Sequence, residues 1–248
     1  MLCSTNAIVL NNRKFSDTSL ICNLYSTDYG KFSIIAKGVR SIKNPYGAVL
    51  QPLNLINLVY YYKEKRNMQL FKEGAIVKKH YNICNDYQKL IYSLTMSDII
   101  NFTSYSDSHC HIIFRLITKS LGVIDNTNVK FLNYYYIFFN IQLLIYLGYY
   151  PVLEKCYSCN NILKSGTFDY KIGQIVCVKC SNKKTSITSD SIELIYNLSK
   201  THISKINQYF IYSDKNLEII KDYLRKFILY HIPELKSSKA FILLDKQS

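Results

Sequence analysis

The chain has no tryptophan, and it is poor in glycine (8), proline (4) and acidic residues (17 Asp+Glu among 248 positions). Scarce glycine and proline argue against long disordered or low-complexity segments, which are rich in one or both. Scarce, unclustered carboxylates argue against a metal-dependent nuclease, which needs acidic groups to hold its ions. The phosphate-cradling pattern Gly-x-x-x-x-Gly-Lys-Ser/Thr is missing, so nothing points to nucleotide hydrolysis. His-Glu-x-x-His is missing too, as is the zinc-deaminase pairing of His-x-Glu with Pro-Cys-x-x-Cys. His109-Cys110-His111 is a tempting cluster, but it reads as a helix start. The N-terminal residues show no charged-then-apolar run, so no secretory leader is expected. These absences lead to the expectation that the protein is not an enzyme.

What is present begins with charge. Thirty-one Lys+Arg residues outnumber the acids and leave a net charge of +14. The excess is densest early, with 12 cations against 4 acids in residues 1–80. A basic domain of this kind points to a polyanion, nucleic acid before an anionic membrane surface; the alternative is a merely solvated face. Hydrophobic residues make up 48% of the chain, enough for a real core.

The eight cysteines fall into two groups. Cys3, Cys22, Cys84 and Cys110 are scattered among apolar residues, as buried thiols in a reducing compartment are. Cys156-x-x-Cys159 and Cys177-x-x-Cys180 are two tight pairs with 17 residues between them. Such pairs supply the four sulfurs of a tetrahedral zinc site; two disulfides are the alternative. Four protein ligands leave no open position, so the zinc is expected to be structural. Between the pairs, residues 167–170 and 174–176 read as strands, joined by a turn in which Gly173 takes a positive φ.

Short β-rich runs fill the first 80 residues: 7–10, 19–25, 32–36, 53–60 and 69–71. The turn Asp28-Tyr29-Gly30-Lys31 makes a hairpin of the second and third. Five short strands in about 75 residues suit a small closed barrel; one such class, the oligonucleotide-binding (OB) fold, binds single strands on its open face. From about residue 85 the period turns helical. Helices are expected around 87–99, over 111–121 and over 129–147, then from a capping box at Asp190-Ser-Ile-Glu193, and finally over 217–228, ended by Pro233. Residues 131–153 carry no charge over 23 positions. Asn133, Asn140, Gln142, dense tyrosine and the terminal Gly148 and Pro151 favour a buried central helix over a membrane span. The fold class is therefore α+β: a small closed barrel over 1–82, of which the OB-fold is one class, then a helical domain over 83–248 with a zinc finger inserted at about 154–182.

Arg13, Lys14, Lys31, Lys37, Arg40 and Lys43 are the cations of the first half of the barrel, the last two near Tyr46. Long cations on strand ends and loops can track a phosphate backbone while an aromatic ring stacks on a base. Neutralising about four phosphates on a single strand gives a log-log salt slope near −3, at roughly 0.7 per phosphate.

The ordered set Phe15-Ser-Asp-Thr-Ser-Leu20, Tyr25-Ser-Thr-Asp-Tyr-Gly-Lys31, Ala36-Lys-Gly-Val-Arg-Ser41 and Leu50-Gln-Pro-Leu53 resembles the N-terminal domain of the RecO family of bacterial recombination mediators. Leu147-Gly-Tyr-Tyr-Pro151, the four cysteines and Lys236-Ser-Ser-Lys-Ala-Phe241 resemble that family's later parts, in the same order. The resemblance implies a cytoplasmic, nucleoid-associated protein that binds single- and double-stranded DNA and anneals complementary strands. It implies three partners and no membrane: RecR, the C-terminal tail of the single-strand binding protein SSB, and indirectly RecA. Lys31, Lys37 and Arg40 match the family's basic barrel positions. Asn160 stands where the family often has Gly, and Asn tolerates the left-handed conformation. Lys239 replaces a common Arg, which weakens bidentate pairing with a carboxylate. Some members lack the cysteines, so the metal is not expected to take part in annealing. The competing reading is a zinc-ribbon adaptor that binds RNA or the transcription or translation machinery.

Overall fold

A computed structural model describes residues 1–103, 110–181 and 187–246. The strands are β1 (Leu2–Phe15), β2 (Ser19–Ser26), β3 (Gly30–Ala36), β4 (Leu55–Tyr61), β5 (Met68–Lys78), β6 (Gly166–Asp169) and β7 (Gln174–Cys177). The helices among the described residues are α1 (Tyr46–Val49), α2 (Tyr81–Asn85), α3 (Tyr87–Phe102), α4 (Cys110–Asn126), α5 (Leu132–Tyr146), α6 (Val178–Ser181), α7 (Ser189–Lys200), α8 (Asp214–His231) and α9 (Lys239–Asp245). By compactness the chain forms two units, residues 1–126 with 238–244, and 127–237 with 245–248. The first unit thus runs past residue 82 and takes in α2, α3 and α4 with the barrel.

In the first unit β1 to β5 close into an OB-fold barrel in the order β1-β2-β3-β5-β4. All pairs are antiparallel except β3 with β5, where Ser33 faces Met68 and Ile35 faces Leu70. Period-2 patterning fills the barrel: Leu20, Cys22 and Leu24 of β2 point inward with Ile56, Leu58 and Tyr60 of β4. The hairpin between β2 and β3 turns at Gly30, whose φ is 64°. β1 is much longer than the apolar run at 7–10; its two ends are mostly polar, with Thr5 alone among them buried. An irregularity between Val9 and Asn11 bends it, so that β1 borders both β2 and β4.

Helices α3 and α4 pack on the outside of this barrel. Asp86 caps α3 by accepting from the Lys89 N–H at 3.0 Å. Ser97 of α3 donates to the Leu10 carbonyl of β1 at 2.9 Å, and α4 packs on β1, β2 and β3. The outward residues of β2 are consequently buried, Ile21 at 4% exposure and Tyr25 at 0%. Helix α4 thus covers the outward face of β2. The helical residues that cover it follow the barrel in sequence, and nothing in the strand pattern announces their docking.

The closing segment belongs to this unit as well. Ser238 starts α9 by accepting from the Phe241 N–H at 3.1 Å and donates to the Asp98 carboxylate at 2.6 Å. Burial raises the Asp98 pKa although the Ser238 hydroxyl opposes the shift. A carboxyl whose pKa is raised by folding stabilises the fold below its unfolded pKa, and that contribution is lost as pH rises through the folded value. Ser238→Ala should cost about 1–3 kcal/mol by leaving the carboxylate without its donor. In Asp98→Asn the decline in stability from acid toward neutral pH should flatten. Urea melts across that pH range test both, and an unchanged pH profile in Asp98→Asn would refute the assignment.

In the second unit α5 is buried on nearly every side. Gln142 donates to the Leu198 and Ser199 carbonyls, each at 3.0 Å, at the end of α7. With 15 residues α5 is about 22 Å long, short of a hydrocarbon core of about 30 Å. No helix among the described residues is long and apolar enough to cross a membrane. α7 begins earlier than the capping-box reading at Asp190: Thr188 is the cap, extended at φ −94°, and accepts from the Ser191 N–H at 3.3 Å. Asp190 instead lies in the first turn, where a negative charge meets the positive helix end. α8 buries Leu217, Ile220, Leu224, Phe227 and Ile228 and stops just before Pro233.

Candidate metal centre and nucleic-acid interface

The four cysteines at 156, 159, 177 and 180 converge, with their sulfurs all within 4.8 Å of one another. Two local structures bring them there. In the first, the Asn160 N–H returns to the Cys156 carbonyl at 2.9 Å and Asn160 takes φ 58°, closing a knuckle around Cys156 and Cys159. In the second, the β6–β7 hairpin delivers Cys177, and α6 carries Cys180 one turn on. Gly173 turns the hairpin at φ 66°, and a Cβ there would stand 2.6 Å from the Phe227 ring of α8. Gly166 is as tightly held, since a Cβ would collide with the Val176 carbonyl oxygen. Phe168 stacks on Tyr223 with ring centroids 3.3 Å apart, so the hairpin is docked on α8.

All eight cysteines are free thiols, and Cys159 and Cys177 are 3.8 Å apart, far beyond the roughly 2.05 Å of a disulfide. Sulfurs about 2.3 Å from one tetrahedral ion stand about 3.8 Å from each other. Burial pushes the Cys156 thiol up, but the N–H groups of Cys177, Cys159 and Ser158 outweigh it and hold it down at about 6. The Cys177 N–H reaches the Cys156 sulfur at 3.2 Å. Cys180 is pushed up to about 12 by its sulfur hydrogen bonds to Cys159 and Cys177. One site thus favours thiolate while another keeps its proton for want of positive charge, and a bound cation would displace that proton. The four residues can hold a metal ion.

The six barrel cations do not stay together. Arg13 and Lys14 end β1, and Lys37, Arg40 and Lys43 follow β3; the pairings Phe15–Ser19 and Leu20–Ala36 put all five at one rim. All five are exposed. Arg40 is fixed there, with its guanidinium donating to the carbonyls of Ser16 (3.1 Å) and Asp17 (2.9 Å) and its N–H to Thr18 (2.9 Å). Lys31 begins β3 at the other rim. Its ammonium donates to the Asn101 and Thr103 carbonyls at 2.8 and 3.0 Å, at the C-terminal end of α3, and burial lowers its pKa. That is the favoured place for a cation on a helix, and it leaves Lys31 less free than the other five. Tyr46 packs edge-on against Phe71, centroids 5.2 Å apart, as part of the barrel wall. His109 lies outside the described residues, while the Cys110 thiol points at the Thr27 and Asp28 carbonyls.

A basic OB-fold barrel with one cationic rim, followed by helices that carry a four-cysteine metal knuckle, defines the class of the protein. Family comparison narrows it: the model named Recombination protein O N terminal matches residues 1–80, and Recombination protein O C terminal matches 84–239. The chain belongs to the recombination protein O (RecO) family. It is 31% identical over 156 residues to the DNA repair protein RecO of Pelodictyon phaeoclathratiforme, a stretch covering 63% of this chain and 59% of that protein. It is 28% identical over 185 residues to that of Thermoanaerobacter sp. X514, covering 73% and 72%. With the RecO of Caldicellulosiruptor saccharolyticus it shares 24% identity over 229 residues, 89% of each chain.

Proposed function

We propose that this protein is a non-enzymatic recombination mediator of the cytoplasm that binds single- and double-stranded DNA and anneals complementary strands. The observation that carries the reading is the exposed rim of Arg13, Lys14, Lys37, Arg40 and Lys43 on the OB-fold barrel of a RecO-family chain. Cations on one rigid rim can hold two backbones close and screen their repulsion, after which base pairing supplies the driving force without ATP. Residues 1–82 are taken as the DNA-binding part, and residues 83–248 as the helical part with the finger at 154–182. Zinc is the ion we assign to the finger, since four thiolates in a closed tetrahedron suit it, with a structural role. RecR and the C-terminal tail of SSB are the proposed protein partners, and RecA is served indirectly on SSB-coated gaps.

The test is ATP-free annealing of two complementary oligonucleotides, bare and then coated with cognate SSB. Acceleration in both conditions is the expected result. No acceleration by folded, metal-loaded protein would reject the mediator reading in favour of an adaptor.

A further inference from the structure

β5 is 11 residues long and unevenly paired. It pairs with β3 only from Met68 to Leu70, while β4 follows it from Leu70 to Lys78. Beyond Leu70 the strand therefore has a ladder on one side and an open edge on the other. Glu73, Ala75, Ile76, Val77 and Lys78 are exposed there, Ile76 to 40% and Val77 to 56%.

The alternation of the ladder identifies the open groups. Met1 and Tyr62 exchange two hydrogen bonds, the Tyr62 N–H donating to the Met1 carbonyl at 2.8 Å and the Met1 ammonium to the Tyr62 carbonyl at 3.0 Å. Bonded and non-bonded pairs alternate along an antiparallel ladder. Ile56, Leu58 and Tyr60 thus turn their backbone groups to β1, and Asn57 and Val59 turn theirs to β5. There they meet Ala75 and Glu73. Gly74 and Ile76 flank Ala75, so their N–H and carbonyl groups point away from β4. Among the described residues no backbone group takes up these four. Unpaired N–H and carbonyl groups along an exposed strand are a template for one further strand.

Charge decides what that strand is. Lys72 and Glu73 pair with each other at 3.7 Å. Lys78 and Lys79, at the end of the edge, have no carboxylate within ion-pair distance among the described residues. A second copy of the chain would bring a further net charge of +14 toward this edge. A segment of another protein fits better, with acidic residues beside Lys78 and Lys79 and β-branched ones beside Ile76 and Val77.

We propose that the open edge of β5 binds an extended segment of a partner protein. The segment runs antiparallel to residues 73–78, bonds to the Gly74 and Ile76 backbone, and sets its acidic N-terminal end against Lys78 and Lys79. Such a contact is independent of DNA binding at the Arg40 rim.

The test is titration of the full chain with the labelled, end-blocked peptide Asp-Asp-Val-Thr-Val-Thr-Val and with two forms of it N-methylated at alternate residues. N-methylation at alternate residues removes the N–H groups from one edge of an extended peptide only. One alternation should abolish binding, and the other should bind like the unmethylated peptide. Ile76→Pro removes an outward N–H and spares the β4 ladder, so it should weaken binding about ten-fold. Lys78→Glu with Lys79→Glu leaves the strand itself untouched; it should weaken binding about as much and favour a peptide that begins Lys-Lys instead. Equal binding by the two N-methylated forms, or no binding of the peptide by the parent, would overturn the strand contact. So would displacement by oligo-dT with the two N-methylated forms indistinguishable, which would make the edge a nucleic-acid surface.

Discussion

Cys177→Ser should strip the finger of its metal and lower the melting temperature of the protein by roughly 10 °C. In small zinc fingers the bound ion supplies about 10–16 kcal/mol of apparent folding free energy. Here α5, α7 and α8 keep a core of their own, so only part of that is at stake, about 3–5 kcal/mol. At about 2–4 °C per kcal/mol for a chain of this size, the expected shift follows. The Cys177 sulfur is one of the four that can hold the ion, and it stands at the end of β7 where the hairpin meets the knuckle. Loss should spread beyond the finger through the Phe168–Tyr223 stack and through Phe227, which closes over Gly173. A chelator should bring the parent down to the melting temperature of the variant and leave the variant where it is. Complete metal loss with unchanged melting would refute a structural role for the ion.

The metal knuckle was the most legible part of the chain because its information is local. A two-residue gap turns both thiols of a pair to one point, and the hairpin between the pairs has its turn glycine in place. The β2–β3 hairpin was legible for the same reason: apolar alternation on each side of Gly30. The ends of β1 were not, since Leu2–Asn6 and Asn11–Phe15 pair through backbone groups and only Thr5 among them is buried. The α7 cap was misplaced by two residues because both Thr188 and Asp190 are good caps, and only the extended backbone at Thr188 decides between them.

The cations show a deeper limit. Net charge and its position in the chain are visible in composition, but the partner of each charge is not. Lys31 reads like its neighbours in sequence and ends on carbonyls about 70 residues away. The covering of β1 by α3 and of β2 by α4 has the same origin. Amphipathic helices signal that they will dock and do not signal on what.

Lys37→Glu with Arg40→Glu should weaken DNA binding on the order of a hundred-fold and reduce the single-strand salt slope from about −3 by about 1.4. The slope carries more meaning than the affinity, because it counts phosphates neutralised and a partly unfolded rim would not move it in a defined way. The two residues differ in kind. Lys37 is an exposed cation with no hydrogen bond to the barrel among the described contacts, and it should act through charge alone. Arg40 donates from Nη1 to both the Ser16 and Asp17 carbonyls and so also holds the β1–β2 turn in shape. Arg40→Lys keeps the charge but gives up those contacts, since a lysine ammonium lies one bond nearer the backbone than Nη1. It should therefore keep the salt slope while losing affinity, whereas Lys37→Gln should lose both in proportion. If Arg40→Lys flattens the slope as much as Arg40→Glu, the turn rather than the charge governs binding at this rim. If the double charge reversal leaves both affinity and slope at the parent values, the DNA path lies elsewhere on the molecule.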